Sequence, residues 1–530
     1  PWYILRLLRT PNTAKEEAFR VQGQSTAKRR SRQARNRRRG RSSGRQQRLF
    51  PKRRRPVFRN RRIRVEATQR GDTTPYAGLA APVLLAKKTG LDRAIDDRLG
   101  LLKFPLPYAE SDHVLTHAYN LFVGGSCIED IGNLQRSEAV RKLLGAERIP
   151  APSTAGDFLR RFGRADLDAL QSAVDAARTK VWKKMPRRLR RRATVDIDSH
   201  IKEVYGECKE GADFSYTRKW SYHPLLVTLA ETGECLRSIN RRGSAPSAAG
   251  AAEALRGVFD LTCDAFDAVY LRGDSKFSQR AIVRLCEEPA YGVRFALVKE
   301  ASPNVRKTAE TRPESSWTPF IPRLDKQRPP RSGKRRRKRP RLRRQTAARR
   351  GYRNLDTIKE WVSEVPYSLT KCEGTFRLVI KRQLIEERNG QGVLFHRYEY
   401  RFILSNIPEG EMTAAEVVRF AYGRCNQENA IEQAKNGLNG FRMPTGGLLA
   451  NGAFLMCAQI AWCLRSWLSL IALPAETVRW EWKRFRHAFV YLAAKVVRMA
   501  REAIVRLSAS HRWAAQFIRA TDKLRRMPFL

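Results

Sequence analysis

"RATVDID", residues 192–198, places Val195 and Ile197 in alternation with Asp196 and Asp198, so the apolar pair faces one side of a strand and the acids face the other. The neighbouring sequence extends this into an α/β rhythm. "HPLLVTLAETGECLRSINRRG" (223–243) reads as a hairpin turning about Thr232 and Gly233, and "SAAGAAEALRGVFDL" (247–261) as a helix. "AVYLRGDS" (268–275) is a buried strand ending in Gly-Asp, "QRAIVRLCEE" (279–288) a helix and "YGVRFALVKE" (291–300) another strand. Strands alternating with helices predict an α/β fold built on a mixed sheet.

Downstream, residues 301–400 break the rhythm with prolines, Trp317, an Arg-rich run and two β-patterned stretches, "TFRLVIKRQLI" and "VLFHRYEYRFILSN". They read as a β-rich insertion. Residues 401–475 then supply a last strand and a helix, and from 448 onward the pattern is helical, with 476–530 as C-terminal helices. Upstream, residues 69–190 carry helix-period pattern and are expected to form a helical domain, leaving 191–300 as the first part of the α/β domain. His113 and His117 are an i, i+4 pair, but no third metal ligand accompanies them, so they read as ordinary helix-face residues.

The charge narrows the partners. With 104 Lys and Arg against 52 Asp and Glu, the formal net charge is +52, far more than solubility requires, and nucleic acid is the natural polyanionic partner. Residues 28–64 hold 19 basic and no acidic residues, and residues 331–350 hold 12 and none. Such runs repel themselves and bury too little apolar surface to order alone, so 1–68 is expected to be a basic, disordered leader and 331–350 a disordered arm. Nine cysteines lie singly, with no Cys-x-x-Cys pair, which argues against a zinc knuckle or a disulfide framework and suggests a reducing compartment. "CAQIAWCLRSWLSLIAL" (457–473) is interrupted by Arg465 and is shorter than a membrane span, so a buried core helix is expected.

Acids converge at the strand ends. Asp196 and Asp198 close the first strand and Asp274 closes a central one, and the carboxyl ends of strands are where open α/β sheets bind ligands. A third acid, Glu428, lies in "FAYGRCNQENAIEQAKNGL" (420–438). Read as one α-helix, this stretch places Arg424, Glu428 and Lys435 at roughly 0°, 40° and 20° around the axis, a charged stripe flush with the apolar seam of Phe420, Ile431 and Leu438. An Arg424–Glu428 salt bridge is one explanation of the stripe; the wall of a site is the other. Convergent carboxylates suit two Mg²⁺ ions, which take oxygen ligands and drive in-line displacement at phosphorus.

"TVDIDSH", "YLRGDSKF" and "YGRCNQENAIEQAKNGL", in this order and with a β-rich insertion before the last, resemble the DDE transposases of bacterial insertion sequences, group 1, and most closely the insertion-sequence family numbered thirteen-eighty. "YAESDHVLTHAYNLFVGGSCIEDI", "TAGDFLRRF" and "LLANGAFLMCAQIAW" resemble that family too, so the likeness spans roughly residues 72 to 520.

The resemblance implies a ribonuclease-H-like catalytic domain with the insertion, and helical regions on either side, the N-terminal one binding DNA. It implies an endonuclease and strand-transfer enzyme of DNA recombination that binds terminal inverted repeats and target DNA, works as a homo-oligomer in a synaptic complex and uses two Mg²⁺ ions, with Mn²⁺ as substitute. It also implies a bacterial cytoplasmic, nucleoid-associated protein without a membrane partner. Asp274 and Glu428 correspond to the second and third acids, and both are expected to be catalytic and metal-ligating. For the first acid the family's Asp-x-Thr ending favours Asp198, with Asp196 as second candidate and His200 where Thr is usual. Arg424, Lys435 and Tyr422 are the expected DNA contacts; the family's Tyr position falls on Ala421, one place before Tyr422. The rival readings are a transposase-derived DNA binder without catalysis and a nuclease of the same fold.

Overall fold

The computed structural model describes residues 71–104, 106–321, 354–370, 372, 374–389, 392–423, 425–499 and 502–529. Both Arg-rich runs and Arg424 lie outside the described residues. The described residues from 71 onward belong to one compact unit.

The N-terminal part is helical, as the pattern predicts. α1 (Glu110–Val123) and α2 (Arg164–Lys183) pack on a long helix, α7, formed much later by Leu448–Ile471. α7 is buried along most of its length, Arg465 included. It is long and apolar enough to cross a membrane, yet here it is the core of the helical part. α8 (Trp482–Phe489) and α9 (Ala514–Arg526) complete that core with Phe485, Phe489 and Phe517. The regions before and after the sheet therefore share one interior.

The sheet begins at β1 (Ala193–Ser199), the strand read from 192–198. β2 (Leu225–Leu229) and β3 (Glu234–Ile239) form the expected hairpin, α3 (Ala251–Ala265) crosses over, and β4 (Val269–Gly273) returns parallel to β1. α4 (Arg280–Glu287) leads to β5 (Arg294–Lys299), parallel to β4. Three long strands follow: β6 (Asn354–Tyr367), β7 (Phe376–Asn389) and β8 (Gly392–Ser405). The result is a mixed α/β architecture. Its nine-stranded sheet runs Thr318–Pro319, β6, β7, β8, β5, β4, β1, β2, β3.

Two expectations change. The β-rich stretch is a continuation of the same sheet, because β8 pairs antiparallel with β5 from Phe402↔Lys299 to Ser405↔Ala296. Its first long strand, β6, carries alternating charges and a proline and gave no β signal in the sequence. The end of the chain is not wholly helical either: β9 (Ala494–Met499) and β10 (Glu502–Leu507) form an antiparallel pair that also binds Thr73–Thr74.

Side-chain alternation gives the sheet two different faces. Val195 and Ile197 of β1 pack with Leu255, Val258 and Phe259 of α3 and Ile282 of α4. The opposite face carries Asp196, Thr228, Tyr270 and Arg272, and α5 (Ala414–Tyr422) covers part of it through Val417, Val418 and Ala421 around Tyr270. α6 (Cys425–Glu432) lies across β1 and β2.

Candidate active site

The strands β1 and β4 lie side by side and point the same way, with Asp196 paired to Arg272 and Ile197 to Gly273. Extended by one position, that register sets Asp198, still paired with Leu226 of β2, beside Asp274, which follows the end of β4, on strands about 4.8 Å apart. Both are half-buried. Asp198 Oδ1 accepts from the Ser199 amide at 2.8 Å. Asp274 caps the 3₁₀ turn Ser275–Phe277 by accepting from the Lys276 amide at 2.9 Å. Each carboxylate thus has one oxygen fixed by backbone, a restraint that orients it.

Asp196 is placed differently. It is 1% exposed and grips Arg272 with two bonds, Nε to Oδ1 at 2.6 Å and Nη2 to Oδ2 at 2.7 Å. The third arm of Arg272, Nη1, donates to the Phe420 carbonyl at 3.1 Å, and its guanidinium lies 5.0 Å from the Phe420 ring. A buried, bidentate carboxylate–guanidinium pair of this kind ties β1, β4 and α5 together. The sequence reading did not single out Arg272. Its signal was present: Arg272 precedes Asp274 by two residues as Asp196 precedes Asp198, so parallel register sets opposite charges face to face.

The segment read as one helix over 420–438 is broken. α5 ends at Tyr422, α6 starts at Cys425, and Gln433–Gly437 form a π-helical turn. The single 3.6-residue stripe of Arg424, Glu428 and Lys435 therefore does not hold as drawn. At Gly423, which follows α5, a Cβ would overlap the Arg272 guanidinium, so glycine lets this position approach the ion pair closely. α6 is anchored by the buried Gln427, which meets the Thr228 hydroxyl on β2, directly opposite Asp196. Glu428, the next residue, is exposed.

Lys435 is exposed on the π-helical turn, near enough to His200 and Lys202 to act on both. His200, two residues beyond Asp198, stacks on Phe441 at 5.4 Å between ring centroids. Burial, with the charges of Lys435 and Lys202 behind it, lowers its pKa to about 4, so it is neutral at physiological pH. Tyr422 is 37% exposed, with the Lys381 ammonium 4.8 Å from its ring centre. His113 stacks on Phe158 with ring centroids 4.4 Å apart, and His117 Nε2 bonds the Ala155 carbonyl at 3.0 Å.

The register of β1 and β4 places the strand-end positions Asp198 and Asp274 next to each other, Asp196 pairs with Arg272, and Glu428 lies on the helix that crosses β1 and β2. Among the described residues, no group of three or more His, Cys, Asp or Glu side chains stands close enough to hold a metal ion. The two strand-end carboxylates fit the oxygen preference of a divalent cation; Glu428 is not gathered with them.

The family model described as transposase DDE domain group 1 matches residues 55–529. The chain belongs to this transposase family. No curated protein matches this transposase-family chain. Among solved structures, the cryo-EM structure of a piggyBac transposase synaptic complex with hairpin DNA is similar over 79% of this chain and 83% of that one, at 9% identity and a TM-score of 0.27.

Proposed function

We propose that the protein is an active transposase that binds the terminal inverted repeats of its element, cuts DNA at them and joins the freed ends to target DNA. One observation carries this reading: parallel register sets Asp198 and Asp274 side by side at the carboxyl ends of β1 and β4, with the 414–437 helical segment across the same face. The strand order β3-β2-β1-β4-β5, antiparallel across β3-β2-β1 and parallel across β1-β4-β5, suits a ribonuclease-H-like catalytic core.

Asp198, Asp274 and Glu428 would hold Mg²⁺, or Mn²⁺ in its place, which supplies an activated nucleophile and charge neutralisation at phosphorus. The chain itself positions the substrate: Lys435 meets backbone phosphate as a charged donor, Arg424 is proposed to do the same, and Tyr422 borders the path. His200, neutral and stacked on Phe441, shapes the wall without adding charge. The Arg-rich runs would add sequence-independent affinity, and a homo-oligomer would hold paired ends.

The failure of three acids to gather favours a second reading, a transposase-derived DNA binder without catalysis. Asp274→Asn separates the two. It should abolish Mg²⁺-dependent cleavage of a duplex carrying the element's ends while changing duplex binding by less than about twofold, because many cations hold the phosphates. Undiminished cleavage in Asp274→Asn would overturn the proposal, and absence of cleavage in the wild type would favour the second reading. Strand transfer with pre-cut ends distinguishes a transposase from a simple nuclease.

A further inference from the structure

Between β1 and β2 the chain builds a small sheet of Lys202–Glu203, Asp213–Phe214 and Trp220–Tyr222 immediately beyond Asp198. Its base is rigid. Lys209 Nζ donates to the carbonyls of Met443 and Thr445 at 2.8 and 2.7 Å, and the Tyr222 hydroxyl donates to the Glu210 carbonyl at 2.8 Å. Gly243 lies so close beneath it that a Cβ would overlap the carbonyl oxygens of Ser221 and Asp213.

Its tip is the reverse of a folded core. Tyr205 is 86% exposed, Tyr216 79% and Phe214 63%, three large aromatic rings within twelve residues. Phe214 and Tyr216 sit at a bonded turn. The Ser215 amide donates to the Lys219 carbonyl at 3.0 Å, the Arg218 amide to the Ser215 carbonyl at 2.8 Å, and Arg218 adopts φ 59° to close it. Phe214 packs edge-on against Trp220 with centroids 5.4 Å apart. Aromatic surface clustered on a rigid, exposed element marks a binding surface.

The tip is also coupled to the site. The Tyr216 ring lies 6.2 Å from the His223 ring, and His223 Nε2 bonds the hydroxyl of Ser199, the residue after Asp198, at 3.1 Å. Arg218 supplies a cation on the turn itself, and Lys202, on the strand paired with Tyr222 at the base of the same small sheet, stands within electrostatic reach of Lys435 and Arg442. A flat aromatic face with a cation on the same turn is complementary to a nucleobase with its phosphate.

We propose that this turn, with Tyr216 as its principal face and Phe214 behind it, stacks an unpaired nucleobase next to the phosphate being cut. The inference rests on the transposase reading and adds a base-contacting element to it. Stacking is sequence-tolerant, so the surface selects for unpaired nucleotides rather than for a base identity. Tyr216 and Phe214 are solvent-facing, and their replacement leaves the interior untouched.

The test compares a mixed-sequence single-stranded oligonucleotide with the duplex of the same sequence, on the full chain without metal ions and at salt high enough to suppress phosphate contacts. Tyr216→Ala should lose about tenfold in single-strand affinity, Tyr216→Phe should lose little, and duplex affinity should stay level in both. A 2-aminopurine in the single strand should be quenched by the wild type and by Tyr216→Phe but not by Tyr216→Ala. Equal single-strand affinity and quenching in the wild type and Tyr216→Ala overturn the inference. So does intact single-strand binding with a shift to a smaller sedimenting species, which would make the tip a contact between copies. If the wild type binds neither form at low salt, the transposase reading fails first; if it binds duplex but Tyr216→Ala changes nothing, only this inference fails.

Discussion

Charges inside this protein and charges at the rim of its sheet obey different rules. Beneath the sheet, Glu234 is fully buried and accepts from Arg178 Nε at 3.1 Å and from the indole nitrogens of Trp182 and Trp467, both at 2.8 Å, joining α2, β3 and α7. Asp196 likewise engages Arg272 through both carboxylate oxygens. At the rim, Asp198 and Asp274 are half-buried, each with one oxygen bonded to a neighbouring amide, and Glu428 and Lys435 are exposed. Burial separates the two classes. A charge paired in the interior maintains the fold, whereas one at a strand end faces the rim of the sheet.

Breaking the interior network should cost most. Glu234→Ala leaves two buried indole donors and the Arg178 Nε without their acceptor, although Arg178 keeps Asp175 and the Cys235 carbonyl, and urea titration should show a loss of about 3–5 kcal/mol. A change below about 1 kcal/mol would mean that the network is dispensable. Arg272→Ala should cost about 3 kcal/mol for the same reason, because it leaves Asp196 buried without its bidentate partner.

Protonation probes the interior without replacing a charge. Burial holds His117 neutral with a pKa of about 4, below the 6.5 of the unfolded chain. The unfolded state therefore gains the proton first, and stability falls as pH drops from 6.5 to 4 by up to about 3 kcal/mol from this residue. Urea midpoints across that window should drop less in His117→Gln. An unchanged pH profile in that variant would show that His117 does not titrate as its burial requires.

A smaller effect tests the boundary between the two regions. Gly423→Ala sets a methyl against the Arg272 guanidinium and should destabilise by about 1–3 kcal/mol, with α6 displaced and any cleavage reduced. Neutral behaviour would mean that the fold does not depend on that close approach. At the small end, Asp274→Asn should change stability by no more than about 0.5 kcal/mol, as expected of a rim residue outside the core.

The same division explains what the sequence could tell. β1 to β5 were legible because short apolar runs ended in Gly, Asp or turn residues, and the acids at their ends marked the site. β6 was not, because "NLDTIKEWVSEVPY" interleaves charges and is stabilised by pairing with β7 over its whole length. The β9–β10 segment reads as helix because Ala, Arg, Glu and Met are good helix formers, and pairing from Ala494↔Leu507 to Met499↔Glu502 overrides them. The close approach at Gly423 and the pairing of Asp196 both involve Arg272, which comes from another strand, so neither can be read from its own segment.

The most direct test of this account is the single substitution Asp198→Asn, with Mg²⁺-dependent strand cleavage and the urea midpoint measured on the same preparation. A rim acid predicts cleavage lost and the midpoint nearly unchanged, in contrast with Asp196→Asn, which should lower the midpoint strongly. Cleavage retained in Asp198→Asn, or a midpoint that falls as far as in Asp196→Asn, would contradict the division between interior and rim.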